Sequence, residues 1–146
     1  MLIFSSCATR QNDQVYLPEW KPNLDQPIRQ IEETLAKQER QESLQEPVNF
    51  MIANASFLYD AKVYILFHDY VARLPVAKRN VEIAKQSTWL ATRKRLMDEA
   101  AAEYEGGTLA SYVAGQAAIK ACKERISEIE EEMKELSTTQ TNATSK

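Results

Sequence analysis

The chain has few of the residues that interrupt helices. It holds three glycines and five prolines in 146 residues, too few for the many turns of an all-β fold and ordinary for a helical one. It has still less of what metal and nucleophilic chemistry needs: one histidine, His68, and two cysteines, Cys7 and Cys122. That set is too small for a Cys/His zinc cluster. Neither a glycine-rich phosphate loop nor a nucleophile elbow is present, so phosphate-binding and Ser-His-Asp readings fall away. His68 sits among apolar residues at helical spacing and reads as a packed imidazole. Asp60 and Asp69 share a helix but do not form an acid/base pair. No cofactor site is legible, and the expectation is a protein that is not an enzyme. An excess of basic charge is also missing. The net charge is −3, which argues against nucleic acid as a partner and permits attraction to a basic protein. Beyond the first residues, no run reads as apolar and long enough to cross a membrane.

What is present suits one helical domain of ordinary composition. The start is a separate matter. Met1 to Ser6 (MLIFSS) leads directly into Cys7, and Phe4-Ser5-Ser6-Cys7 resembles the end of a bacterial lipoprotein signal, where small residues precede a cysteine that becomes acylated. A complete signal has an apolar stretch of about 7–15 residues, and fewer precede the serines here. Either translation begins upstream or Cys7 is an ordinary thiol. Cys7 is the expected lipidation site, residues 1–24 are the signal remnant and tether, and Tyr16 and Trp20 can dock on the helical body. A Cys7–Cys122 disulfide is disfavoured, because nothing in their spacing brings the two sulfurs together.

Four helices are predicted. The first starts at Asp25, which can cap it, carries Pro27 in its first turn and ends near Gln45 ahead of Pro47. Its stripe of Ile28, Ile31, Leu35 and Leu44 is narrow, as for a helix packed on one side only. The second runs from about Pro47 to Leu74, with Phe57, Ala61, Tyr64, His68 and Val71 at helical spacing. The third runs from Pro75 or Val76 to Tyr104, with Val81, Ala84, Lys85, Thr88, Trp89, Thr92, Leu96 and Ala100 tracing one face. Gly106-Gly107 can supply a positive φ at its end, and Thr108 can cap the fourth helix. The fourth carries Leu109, Tyr112, Ile119, Cys122, Ile126, Ile129 and Met133. Its acidic final turns, Glu128 to Glu135, oppose the helix dipole and are expected to fray or project into solvent. The low-complexity segment 137–146 reads as a disordered tail. The expected fold is all-α: an antiparallel bundle of three main helices plus an additional N-terminal helix, spanning residues 25–136. The short corners at Pro75 and Gly106-Gly107 are expected to pack neighbouring helices side by side.

One stretch carries more than fold. Residues 86–129 combine Trp89, Arg93, the Tyr104-Glu105-Gly106-Gly107 corner and Arg125 across two helices. This pattern resembles the lysozyme-inhibitor LprI-like family of small bacterial envelope proteins, and the likeness extends weakly back to Tyr59. Members commonly carry W-x3-R-x3-C, then Y-x-G-G, then a helix with a second cysteine and an arginine beyond it. Here Met97 and Ala117 occupy the two cysteine positions, so the staple, typically about 2–4 kcal/mol, must be replaced by packing. Cys122 does not fall at either position. The resemblance implies a lipid-anchored protein of the periplasm or outer membrane that binds a protein partner, with lysozyme inhibition by occlusion of the enzyme's cleft as the expected activity. Glu103, Tyr104 and Glu105 are the expected contacts. The alternative is a structural or interaction lipoprotein of the envelope without inhibitory activity, which binds another envelope protein or a second copy of itself through the aromatic residues between Phe50 and Tyr70.

Overall fold

The structure is a computed structural model that describes residues 22–40 and 45–144. Cys7, Tyr16 and Trp20, with the tether they belong to, lie outside the described residues, as does Leu44. The described residues form four helices and no strand: α1 (Asp25–Arg40), α2 (Gln45–Arg73), α3 (Val76–Ala102) and α4 (Leu109–Thr144). The chain is thus an all-α helical bundle.

α4 is the axis of the assembly. Gly115, Ala118, Ile119, Cys122, Arg125, Ile126 and Ile129 recur every three or four residues and are buried. α2 packs along one side of this stripe and α3 along the other, while α1 packs against α2 and reaches α4 through Glu32 and Glu39. The small residues of α4 set the distance to α2. A Cβ at Gly115 would overlap the Ile52 Cγ2 methyl, so only glycine lets α2 come this close.

Two corners reverse the chain. At the first, the Arg79 guanidinium donates to the carbonyls of Leu74 and Ala72, both at 3.1 Å. At the second, Gly106 adopts φ 80°, the left-handed conformation in which glycine has no Cβ penalty. The start of α2 is fixed to this second corner, where Asn49 Nδ2 donates to the Thr108 carbonyl at 2.7 Å.

α1 is held by a polar seam as well as by Ile28 and Leu35. Tyr59 Oη donates to Glu32 Oε1 at 2.7 Å, and Lys123 Nζ reaches the same oxygen at 2.6 Å while lying over the Tyr59 ring. Burial pushes the Glu32 carboxyl up, but the Lys123 and Tyr59 donors outweigh it and hold the group below its ordinary value. At the start of α1 the capping acceptor is Asn23, whose Oδ1 takes the Asp25 N–H at 2.9 Å. Asp25 itself pairs with Lys62 at 2.8 Å, a correction to its expected role.

The inward faces of α2 and α3 also differ from the predicted ones. α2 buries Val48, Ile52, Ala55, Tyr59, Val63 and Tyr70. The stripe from Phe57 through Ala61, Tyr64 and His68 faces solvent instead. α2 is apolar on nearly every side, so spacing alone cannot choose its buried face. Glu46–Arg73 is, by length and composition alone, long and apolar enough to cross a membrane, which corrects the expectation that no such segment exists. On α3 the inward line is Glu82, Gln86, Trp89, Arg93 and Met97, and Val81, Ala84, Thr88 and Thr92 are exposed. Here the inward face is polar, and apolar periodicity pointed to the wrong side. α2 and α3 make few direct contacts despite their short corner. The side-by-side packing expected there is replaced by an open groove, floored by α4 at its Gly115 end.

Finally, α4 continues to Thr144. The acidic turns therefore lie within the helix. Glu128 accepts from Arg125 Nη1 at 2.9 Å, and Glu132 is partly buried, whereas Glu130 and Glu131 are exposed.

Candidate functional site

The residues picked out by the motif fall into three places. Trp89 and Arg93 lie one turn apart on α3 and line the groove between α2 and α3. Arg125 is buried on α4 below the same α3 face. Tyr104, Gly106 and Gly107 form the exposed α3–α4 corner, flanked by the exposed Glu103 and Glu105.

Arg93 divides the groove in two. Its Nη2 donates to Asp60 Oδ2 at 2.5 Å, so α3 reaches α2 across the gap through this pair. One half of the groove, about 520 Å³, is walled by Val63, Tyr64, Phe67, His68, Trp89 and Leu90. The other, about 350 Å³, is walled by Phe57 and Met97 and floored by Ser111, Ala114 and Gly115. His68 is exposed, with its ring 4.4 Å from that of Tyr64, and so is not the packed imidazole expected from the sequence. Met97, at a cysteine position of the family pattern, lines this groove as an apolar wall.

Below the ion pair lies Cys122, fully buried and with a free thiol. Its Sγ donates to Asp60 Oδ1 at 3.5 Å. Burial and the Asp60 carboxylate push this thiol up to about 11. The folded chain therefore keeps the proton to higher pH than the unfolded chain does. Stability from this group is complete below about pH 9 and is lost as pH rises toward 11. Cys122 in the folded protein is expected to react with a thiol reagent at pH 8 at least about tenfold more slowly than in denaturant, because only the thiolate attacks. Equal rates in the two states would contradict its burial.

Arg125 belongs to a second polar cluster. Its Nε donates to Gln86 Oε1 at 3.0 Å, and Nη2 is buried without a hydrogen-bond partner. Glu82 and Glu132 each have one buried oxygen in the same condition. Burial together with the Glu132 and Glu82 carboxylates pushes the nearby Tyr70 hydroxyl up to about 12.

Comparison with known proteins finds no matching family model, no matching curated protein and no matching solved structure. The geometry alone carries the reading.

The Asp60–Arg93 pair joins α2 to α3, and the Arg125–Gln86 bond joins α4 to α3. Asp60 is neutralised by Arg93, the one histidine faces solvent, and the one described cysteine is held as a thiol. Among the described residues, no group of three or more His, Cys, Asp or Glu side chains could hold a metal ion. The arrangement offers surfaces instead: an aromatic-rimmed groove and an acidic corner. Sequence reasoning missed Asp60 as the partner of Arg93. The available signal was a carboxylate at the middle of the most apolar helix, where a partly buried acid needs a cation.

Proposed function

We propose that the chain is a binding protein of the bacterial cell envelope that inhibits a lysozyme by occluding its cleft. The observation that carries this reading is the α3–α4 corner. Glu103, Tyr104 and Glu105 all face solvent there, so one aromatic ring is presented between two carboxylates. Such a corner can lie across the mouth of a glycoside hydrolase's cleft, with Glu103 and Glu105 on its basic rim and Tyr104 in an apolar subsite, so that substrate cannot reach the acidic pair. Lysozymes are often basic, and an acidic inhibitor is drawn toward them at low salt. The resemblance of residues 86–129 to the LprI-like family supports the same partner. Acylation of Cys7 would hold the protein at a membrane of the periplasm or outer envelope. In this reading the protein needs no cofactor and binds no nucleic acid.

A second reading is favoured by a separate observation: Phe50, Phe57 and Tyr64 on α2 are exposed, as in an interaction lipoprotein without inhibitory activity. Calorimetric titration of the full chain into lysozymes of several classes separates the two. The first reading expects a one-to-one complex with one class that weakens as salt is raised. Absence of heat with every class, at low and moderate salt, rejects it and leaves the second.

A further inference from the structure

The edges of the groove on α2 and α3 carry a pattern that the described residues do not fully use, running from exposed positions to the partly buried Met97. On α2, Phe50, Phe57 and Tyr64 recur every seven residues; on α3, Ile83, Leu90 and Met97 do the same. A seven-residue apolar repeat keeps one stripe turned toward a neighbouring helix over several turns. Among the described residues that neighbour is missing: Phe57 is 70%, Tyr64 64% and Leu90 49% exposed. The two stripes flank the same groove, with Tyr64 and Leu90 on opposite walls of its larger half.

We propose that this hairpin face is a self-association surface: two copies pair antiparallel about a two-fold axis near Leu90, and each α3 seats against the groove of the other copy. Two features select a second copy as the occupant. The first is the symmetry of the stripe. Ile83 and Met97 lie equally far from Leu90, so an antiparallel α3 places Leu90 on Leu90 and Ile83 on Met97, as a self-complementary two-fold interface requires. The second is charge. The closed end of the hairpin carries Arg73, Lys78 and Arg79, and the open end carries Glu46, Glu103 and Glu105. The Asn49–Thr108 hydrogen bond shows that the start of α2 and the α3–α4 corner share that open end. Antiparallel pairing brings each basic end onto an acidic end. A parallel arrangement stacks like on like, and a partner of one sign is repelled at one end. The product is a four-helix layer of two α2 and two α3 helices, with α4 backing each half.

This proposal holds whether or not a lysozyme is bound, and its test contains none. The full chain with Cys7→Ser, which leaves buried Cys122 as its one thiol, is followed by sedimentation over a wide concentration range at low and moderate salt. A monomer–dimer equilibrium that weakens with salt is expected, and Leu90→Glu should weaken it at least about tenfold. Orientation is read by oxidative cross-linking in the same background. Leu90→Cys should give a disulfide-linked dimer and Lys120→Cys, exposed on α4, should not. Ile83→Cys and Met97→Cys should cross-link to each other in preference to themselves. A monomer at every concentration overturns the proposal, as does a dimer indifferent to Leu90→Glu. A monomer that Leu90→Glu makes less stable also overturns it.

Discussion

Arg125→Ala is expected to cost the fold about 3–5 kcal/mol, the usual range when one member of a buried ionic cluster is removed. Arg125 is 7% exposed and Glu82 is 8% exposed, so water cannot replace the lost cation at either. Arg125 and the carboxylates of Glu82 and Glu132 all act on Tyr70 and on Lys85, which places them in one cluster between α2, α3 and α4. Removing the guanidinium leaves Lys85, which pairs with Glu82 at 2.7 Å, as the remaining cation beside the two acids, and it also strips Gln86 and Glu128 of their donor. Arg125→Met separates charge from packing, because it restores volume without charge. It should recover only a minor part of the loss. Adding Glu82→Gln to Arg125→Met should recover about 1 kcal/mol more, since one of the two carboxylates that then share the single cation Lys85 is gone. Chemical denaturation of the four proteins measures this. Equal stability of Arg125→Met and the unmodified chain would show that the cluster is not held by its charge.

The second large effect concerns Gly115. Gly115→Leu is expected to lower stability by about 2–3 kcal/mol, although leucine favours a helix over glycine by nearly 1 kcal/mol. The reason is steric. The space that a Cβ would take is filled by the Ile52 methyl, and Ile52 is 1% exposed, so it has nowhere to move. α2 would have to be lifted from α4 along its whole contact. The second-site test is specific: Gly115→Ala should cost less in an Ile52→Ala background than alone, because the smaller side chain vacates the space. Additive costs would mean that the two residues do not compete for one volume.

These two positions show what could and could not be read from the sequence. The start of α1, the corner at Pro75 and the positive φ at Gly106 follow from local rules about proline, glycine and capping, so the four helices were legible. Which face each helix turns inward was legible for α4, where apolar and small residues line one side only. It was not legible for α2, whose aromatic stripe from Phe57 to Tyr64 is as periodic as its buried stripe from Ile52 to Tyr70. Nor was it legible for α3, where Glu82, Gln86 and Arg93 face inward because α4 and α2 supply Arg125 and Asp60 to meet them. Those partners lie 39 and 33 residues away in sequence, beyond the reach of any spacing rule. The motif residues split accordingly. Trp89, Arg93 and Arg125 are tied into the packing of α3, whereas Glu103, Tyr104 and Glu105 face solvent at the corner.

The most direct measurement is lysis of a cell-wall suspension by the lysozyme that the full chain binds, with the chain either unmodified or carrying Glu103→Lys and Glu105→Lys together. Both residues are exposed, so circular dichroism and melting should match between the two proteins. The account predicts that the unmodified chain stops lysis at an equimolar ratio and that the charge-reversed chain needs at least about tenfold more, the loss expected when charges facing a basic partner change sign. Undiminished lysis in the presence of the unmodified chain, or equal inhibition by the two proteins, would contradict it.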